Sequence, residues 1–167
     1  MTDKQLTAHL AVIDNRMPKY EMQHILVNSE HCVSTDTRLL LVTPTTSTHK
    51  PSIPYLHLNP KAKWQPSDQT VSALAYPEYK RIMLDREYFT KLPTHSANIE
   101  YTTVDALYYI STSHNWFFDY VEQSVKLRKL AKNLPEVESY SFREPNLPIQ
   151  LNYTDGTKLI IMPLVFN

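Results

Sequence analysis

Two stretches of the chain carry the spacing of apolar residues that is typical of an amphipathic helix. The first covers residues 3–15, where Leu6, Leu10 and Ile13 fall on one helical face. The second covers residues 116–134 and shows the stronger pattern. Its apolar residues gather on one side of the helix: Phe117, Tyr120, Leu127, Leu130, Ala131 and Leu134. We therefore predict two helices, one near each end of the chain.

Several shorter segments have the composition of β-strands. Residues 22–27 and 36–43 are rich in Val, Leu and Ile, and residues 31–34 between them are available to pair with either. Residues 98–102 and 104–111 combine Tyr, Ile and Val. We predict that the last two segments form paired strands.

The chain ends in a predicted β-hairpin. Ile149, Leu151 and Tyr153 alternate with polar residues, and residues 158–164 form the returning strand. Between them lies Gly156, the one glycine of the chain, at a position where a type I′ turn requires positive φ.

The middle of the chain has a different character. Residues 44–69 hold five prolines among Thr, Ser, Lys and His, which favours a surface excursion with one strand at 53–58. Residues 70–76 predict a further strand and residues 77–89 a helix with proline at its first position. We predict that residues 44–116 form an insertion or lid. Its aromatic residues would make a satellite cluster: Trp64, Tyr76, Tyr79, Tyr88 and Phe89.

Taken together, these elements predict an α+β fold. The order of helix, strands, excursion, helix and strands favours an antiparallel sheet with two helices on one face. At 167 residues the chain has the length of one ordinary domain, so we predict a single domain over residues 1–167.

Composition excludes several classes of function. A P-loop or a dinucleotide-binding loop needs several glycines, and this chain has one. Its one cysteine, Cys32, excludes an internal disulfide. No apolar run approaches the roughly 18 residues of a membrane span, and no signal-peptide pattern opens the chain, so we expect no membrane partner and a cytoplasmic location.

Candidate catalytic chemistry is sparse. The seven histidines show no HExxH spacing, and the serines have no GxSxG motif. His31, Cys32 and Asp36 lie close in sequence, but adjacent strand residues point to opposite faces, which argues against a metal site. We predict no enzyme activity, no cofactor and no metal, and interpret Cys32 as a core thiol.

The second helix carries the best candidate surface. Equal numbers of basic and acidic residues, 17 each, leave the whole chain neutral, so attraction to nucleic acid must come from a local cluster. Four cations face away from the leucines of this helix: Lys126, Arg128, Lys129 and Lys132. Such a face can follow phosphates, and Lys4 and Arg16 near the first helix could add to it. The alternative is that these cations only complement the helix dipole.

Two segments resemble a known family. Residues 149–165 (IQLNYTDGTKLIIMPLV) resemble the last hairpin of the bacterial replicative sliding clamp, the beta subunit of DNA polymerase III. Residues 25–40 (ILVNSEHCVSTDTRLL) resemble the strand and TD-containing turn near the start of a clamp domain. The likeness covers residues 3–43 and 117–166 and implies a clamp-like domain with a large middle insertion. The turn here is one residue shorter than the family's.

The resemblance also implies a site for a partner peptide. In the family, polymerases and other partners dock a short hydrophobic peptide in a pocket between two domains. The matching positions in this chain are Thr35, Arg38, Leu39, Met162, Pro163 and Leu164. The alternative is that Leu39, Met162 and Leu164 are core strand residues.

Three hypotheses for function follow from these observations. The first is a non-catalytic clamp-like module that associates with DNA replication or repair proteins, binds duplex DNA weakly and without sequence specificity, and assembles from several copies. The second is an adaptor or inhibitor that binds a partner protein and does not touch DNA. The third is an enzyme with a site in residues 49–116.

Overall fold

The computed structural model describes residues 1–13, 20–45, 55–56, 65–66, 76–84, 88–93 and 100–164. The chain divides into two compact units, Met1–Ile82 and Met83–Asn167. Both combine helix with antiparallel strands, so the predicted α+β class is confirmed.

The described residues of the first unit form one α-helix and five strands: α1 (Asp3–Val12), β1 (His24–Val27), β2 (His31–Thr35), β3 (Leu39–Pro44), β4 (Tyr55–Leu56) and β5 (Gln65–Pro66). These strands are antiparallel, in the order β5-β4-β1-β2-β3. Short 3-10 helices cover Tyr20–Gln23 and Tyr79–Ile82. The predicted strand at 53–58 is present as the two residues of β4, and its other positions lie outside the described residues.

Helix α1 begins at a capping box. The Thr2 side chain accepts the Gln5 N–H at 3.2 Å, and the Gln5 side chain accepts the Thr2 N–H at 3.0 Å. The predicted apolar face consisted of Leu6, Leu10 and Ile13; Ile13 is buried and Leu6 packs against its cluster, while Leu10 is half-buried. The helix also buries Ala8, His9 and Val12, which the prediction did not include.

The core of the first unit lies between α1 and its sheet. Ile25, Val27 and Cys32 pack with Ile13 just after the helix. Asn28 closes the turn between β1 and β2, its Oδ1 accepting the His31 N–H at 2.7 Å. The predicted strands at 22–27 and 36–43 are shorter than expected, because their first residues form a 3-10 helix and a turn.

In the second unit, the part of the chain that the structure describes forms two α-helices and four strands: β6 (Phe89–Lys91), α2 (Thr103–His114), α3 (Tyr120–Asn133), β7 (Val137–Ser141), β8 (Ile149–Tyr153) and β9 (Lys158–Ile161). These strands are antiparallel, in the order β9-β8-β7-β6. Helix α2 packs against α3 and contacts one face of the sheet. Thr103 and Tyr153 share a hydrogen bond of 2.9 Å, and His114 Nε2 lies 2.8 Å from the Tyr140 hydroxyl.

Helix α2 stands where the second of the paired strands at 98–102 and 104–111 was predicted. Of the first, residues 100–102 have no regular secondary structure, and residues 98–99 lie outside the described residues. Thr102 caps the helix, and Asp105 completes a capping box with two hydrogen bonds to Thr102. Its buried residues follow helical spacing: Thr103, Ala106, Leu107 and Ile110. The strand prediction was wrong because it weighed β-propensity above this spacing and the N-terminal cap.

The predicted insertion, residues 44–116, is divided between the two units. Tyr76 and Tyr79 are buried in the first, while β6 and α2 belong to the second. The described part of the predicted helix at 77–89 includes the 3-10 helix Tyr79–Ile82, and Phe89 begins a strand, while residues 85–87 lie outside the described residues. Trp64 and nearly all of the predicted strand at 70–76 lie outside the described residues. That residues 1–167 form one domain with an insertion stays a prediction.

The terminal hairpin is confirmed, with a different turn. Gly156 has φ 84°, but in the described part of the chain only Thr37 and Asn115 also have positive φ. A type I′ turn would need positive φ at Asp155 as well. The loop is instead a three-residue one, closed by the Tyr153 N–H donating to Thr157 O at 2.9 Å, with glycine in the left-handed position.

Candidate functional site

The predicted basic helix is present as α3, and its cations lie at the surface. Asp119 caps the helix by accepting the Glu122 N–H at 3.0 Å. Leu127 and Leu130 are buried on the inner side. The outer side carries four cations, which we call the basic surface: Lys126, Arg128, Lys129 and Lys132. All are exposed except Lys126, which is half-buried.

The acidic residues of α3 stand at its N-terminal end, where Asp119 is the N-cap and Glu122 lies in the first turn. From Val125 to Asn133 the helix has no acidic residue. The C-terminal half of α3 is therefore a compact positive region.

Two valines share the outer side of α3 with these cations. Val121 is 90% exposed and Val125 is 63% exposed. Spacings of three and four residues place Val121, Val125, Arg128 and Lys132 in one stripe along the helix. We call this row the valine stripe.

An apolar groove lies between α2 and α3. It has a volume of about 370 Å³, and we call it the helix groove. Its lining is formed chiefly by Val104, Leu107, Tyr108, Phe117, Tyr120 and Leu127. On α3, the groove-facing positions Tyr120 and Leu127 lie on a different side of the helix from the valine stripe, because residues adjacent in sequence are about 100° apart around a helix.

The other two predicted DNA contacts are not part of α3. Lys4 is exposed in the first turn of α1, in the first unit. Arg16 lies outside the described residues.

The turn between β2 and β3 holds half of the predicted peptide pocket. Thr35 Oγ1 donates to Leu39 O at 2.9 Å, and Asp36 Oδ1 accepts the N–H groups of Arg38 at 3.0 Å and Leu39 at 2.7 Å. Thr37 completes the turn with φ 76°. Arg38 is exposed and Leu39 is 1% exposed, so Leu39 is the core strand residue that the alternative anticipated.

The other half of the predicted pocket follows β9 in the second unit. Met162 is 40% exposed, and Pro163 and Leu164 are half-buried. Leu164 donates its N–H to Phe117 O at 2.8 Å, which fixes this segment beside the start of α3. A peptide-binding role for either half stays a prediction.

The chain is similar in fold to several solved structures. Neither a protein-family model nor a curated protein matches it. The beta chain of DNA polymerase III from Streptococcus pneumoniae matches with a TM-score of 0.56 at 10% identity, over 98% of this chain and 62% of that one. The sliding clamp of Bacillus subtilis matches with a TM-score of 0.55 at 10% identity, over 98% of this chain and 63% of that one. The chain has the fold of a bacterial sliding clamp.

A third match agrees with this clamp fold. DNA polymerase III subunit beta from Borrelia burgdorferi, in complex with a natural product, has a TM-score of 0.57 at 10% identity, over 98% of this chain and 62% of that one. The chain thus spans less than two thirds of the length of these clamps. At such low sequence identity, the likeness to these structures establishes the fold alone.

Sequence reasoning missed a buried polar cluster in the clamp fold. His9 lies on the inner face of α1, with Nδ1 2.8 Å from Ser34 Oγ and Nε2 2.9 Å from Thr43 Oγ1. Burial, and secondarily the positive N-terminus, lower the pKa of His9 to about 3. The sequence signal available for this cluster was a histidine within a predicted amphipathic helix, together with hydroxyl residues in two predicted strand segments.

The helix groove was missed for a different reason. It depends on α2, which sequence reasoning had taken for strands, so the packing of two helices was not anticipated. Its aromatic residues come from α2, from the segment just before α3 and from the first residue of α3: Tyr108, Phe117, Phe118 and Tyr120.

Cys32 is buried, and burial raises the pKa of its thiol, which matches the inert thiol expected. The described residues contain no group of three or more His, Cys, Asp and Glu side chains arranged to hold a metal ion. Over the same residues, no helix has the length and apolar character needed to cross a membrane.

Proposed function

We propose that this chain is a non-catalytic binding module with the clamp fold, associated with DNA replication or repair proteins. Its basic surface contacts duplex DNA weakly and without sequence specificity. The observation that carries the proposal is the run of four cations on one side of α3, in a half-helix without acids. The fold likeness to bacterial sliding clamps supports the association with replication.

Phosphate contacts give the proposal a measurable signature. Cations that neutralise phosphates release counterions, so affinity falls as salt rises. Four contacts predict a slope of about −3.6 in log K against log salt on duplex DNA. Because the whole chain is neutral, a single copy has no long-range attraction and binds poorly at physiological salt. Several copies assembled around a duplex would be retained by topology, and light scattering would report such assembly.

The direct test is charge reversal on the basic surface. Lys126→Glu with Lys129→Glu should abolish retention on duplex DNA at low salt, while circular dichroism stays unchanged. The matched control is Lys80→Glu with Arg81→Glu, because these exposed cations are already paired with Glu30 and Glu78. If the first variant binds DNA like the parent, or the parent binds none at low salt, DNA is not a ligand.

A second candidate function is an adaptor or inhibitor that binds a partner protein and leaves DNA alone. It is favoured by the exposure of Val121 and Val125, which phosphates cannot satisfy. Arg38 and Met162 are the exposed members of the peptide pocket implied by the resemblance. Substituting each with alanine, and measuring capture of a replication protein, tests that pocket separately from DNA binding.

A further inference from the structure

A cavity lies on the face of the second unit's strands that points away from α2. Tyr140 and Tyr153 contact α2 through their hydroxyl groups. Ser139 and Asn152 are next to them in sequence, so these two side chains point to the opposite face. The cavity there has a volume of about 560 Å³, within the roughly 300–1,000 Å³ of pockets that bind small molecules, and we call it the sheet cleft. Its charged, hydroxyl and amide lining residues are Lys91, Glu138, Ser139, Asn152, Thr157 and Lys158.

Four of these lining residues form one row across the strands. Lys91 on β6 is paired with Ser139 on β7. Ser139 is also paired with Asn152 on β8, and Asn152 with Lys158 on β9. Directly opposed residues of antiparallel strands have their side chains on the same face, so two cations flank two neutral polar groups. At a strand spacing of about 4.8 Å, the row is roughly 14 Å long, which is enough for a small molecule.

A chain of hydrogen bonds fixes the direction in which the polar groups of this row donate. The Leu84 N–H donates to Gln150 Oε1 at 2.9 Å, and a backbone N–H can only donate. Gln150 Nε2 therefore donates to Asn152 Oδ1 at 2.7 Å, and Asn152 Nδ2 donates to Ser139 Oγ at 3.2 Å. The Ser139 hydroxyl is the last acceptor of this chain. Its own proton is consequently a hydrogen-bond donor in the lining of the sheet cleft.

Thr157 adds a second hydroxyl to the sheet cleft. The residue is fully buried, and its Oγ1 has no hydrogen-bond partner among the described residues. A buried hydroxyl of this kind costs free energy until a ligand or a water molecule bonds to it. The described lining also holds two lysines against one carboxylate, that of the exposed Glu138. Such a set of donors favours a ligand whose polar atoms accept hydrogen bonds and are negatively charged.

We propose that the sheet cleft binds a small organic anion in which an oxyanion group, a carboxylate or a phosphate, is joined to an apolar ring. The oxyanion accepts hydrogen bonds from the two hydroxyls and lies between the two lysines of the row. The ring packs against Phe89 and Leu84. Phe89 is two residues before Lys91 on β6, so both side chains are on the same face. This site shares no residue with the basic surface, and it does not rest on DNA binding.

Titration with phenyl phosphate and with benzoate tests the site, because each probe joins an aromatic ring to one of the two oxyanions. Two-dimensional amide NMR of the whole chain follows both titrations up to tens of millimolar, the range in which ligands of this size bind. We expect saturable shifts at the amides of Ser139, Asn152 and Thr157 from at least one anion, and the tighter of the two identifies the oxyanion. Benzylamine and benzyl alcohol, which are cationic and neutral, should cause no such shifts.

Thr157→Val tests the hydroxyl contact without disturbing the fold. Valine has nearly the same shape, and the hydroxyl that it removes has no partner among the described residues. The variant should therefore be at least as stable as the parent in urea unfolding. Its affinity for the anion should fall by about tenfold or more, since a hydrogen bond to a charged group is lost.

Charge variants test the row of lysines. Lys91→Gln with Lys158→Gln should weaken anion binding by about tenfold or more and leave DNA retention unchanged. Glu138→Gln should strengthen anion binding, because it removes the opposing charge from the lining. The matched control is Lys129→Gln with Lys132→Gln, which removes two cations from α3 in the same unit and should change anion affinity by less than about twofold.

Three results would overturn the proposal. The first is the absence of saturable shifts in the sheet cleft with both anions. The second is equal binding of benzylamine. The third is an anion affinity that either Thr157→Val or the Lys91 and Lys158 pair leaves unchanged. Each of these results would leave the DNA proposal standing, because retention on DNA is measured separately on the variants of α3.

Discussion

His9 Nδ1 lies 2.8 Å from Ser34 Oγ, so a helix side chain is hydrogen-bonded to the second strand of its own sheet at the centre of the first unit. The other ring nitrogen lies 2.9 Å from Thr43 Oγ1 on the third strand. One imidazole thus links α1 to two strands, and both of its nitrogens have a partner inside the core.

This buried imidazole predicts a pH dependence of stability. Its pKa is lowered to about 3 in the folded state, against an ordinary 6.5 when unfolded. Below about pH 6.5 only the unfolded chain binds the proton, so the free energy of unfolding falls by up to about 1.4 kcal/mol per pH unit as pH drops. Urea unfolding from about pH 7 to about pH 4.5 measures this slope.

His9→Phe provides the control, because it removes the titrating group and retains a ring. Its slope between the same pH values should be shallower than that of the parent, even though its absolute stability is lower. Identical slopes would show that other groups cause the acid sensitivity.

The buried and exposed sides of α3 predict very different losses of stability when a side chain is truncated. Leu130 is fully buried, so Leu130→Ala should lower the free energy of unfolding by about 2–5 kcal/mol. Val121 is 90% exposed, so Val121→Ala on the same helix should change it by less than about 0.5 kcal/mol. Thermal or urea unfolding checks both. Comparable losses would mean that Val121 is covered in solution.

The sequence predicted well where local chemistry and long-range packing agree. Helix α3 was predicted from the spacing of its apolar residues, and the terminal hairpin from alternating apolar residues around one glycine. Both elements are present. Helix α2 was misread because Tyr108, Tyr109 and Ile110 favour strands by propensity, whereas burial spacing and the Thr102 cap favour a helix. Propensity is the weaker of these influences once a helix can pack against a neighbour.

The candidate sites were predictable only in part. The outward position of the basic surface follows from helical spacing, which the sequence displays. The helix groove requires two helices to meet, and the His9 cluster requires a helix residue to meet two strands. Tertiary contacts of this kind have no periodic signal in the sequence.

Thr37 predicts a stabilising substitution. Its φ of 76° places a β-branched residue in the left-handed region, which costs roughly 1–2 kcal/mol for a side chain with Cβ. Thr37→Gly should therefore raise the free energy of unfolding, by up to about 1 kcal/mol once the added freedom of the unfolded chain is included. Thr37→Ala is the matched control and should gain little, since alanine retains Cβ.

Gly156 predicts the opposite effect in the terminal hairpin. At φ 84° an alanine side chain would crowd the backbone, so Gly156→Ala should cost about 1 kcal/mol or more. Gly156→Asn should cost less, because asparagine tolerates the left-handed region. Equal losses for the two variants in urea unfolding would contradict the assigned backbone geometry.

The basic surface predicts how DNA binding should depend on salt, residue by residue. Each phosphate contact contributes about 0.9 to the slope of log K against log salt, so Arg128→Gln with Lys129→Gln should change it from about −3.6 to about −1.8. Fluorescence anisotropy with a duplex of arbitrary sequence, from about 25 to about 150 mM salt, measures the slope. Lys80→Gln with Arg81→Gln removes the same charge from cations already paired with Glu30 and Glu78, and its slope should match the parent. Neutralisation rather than reversal is informative here, because it removes the contact without adding repulsion. A slope that both pairs of substitutions change equally would mean that DNA senses only net charge, and α3 would then have no special role in the contact.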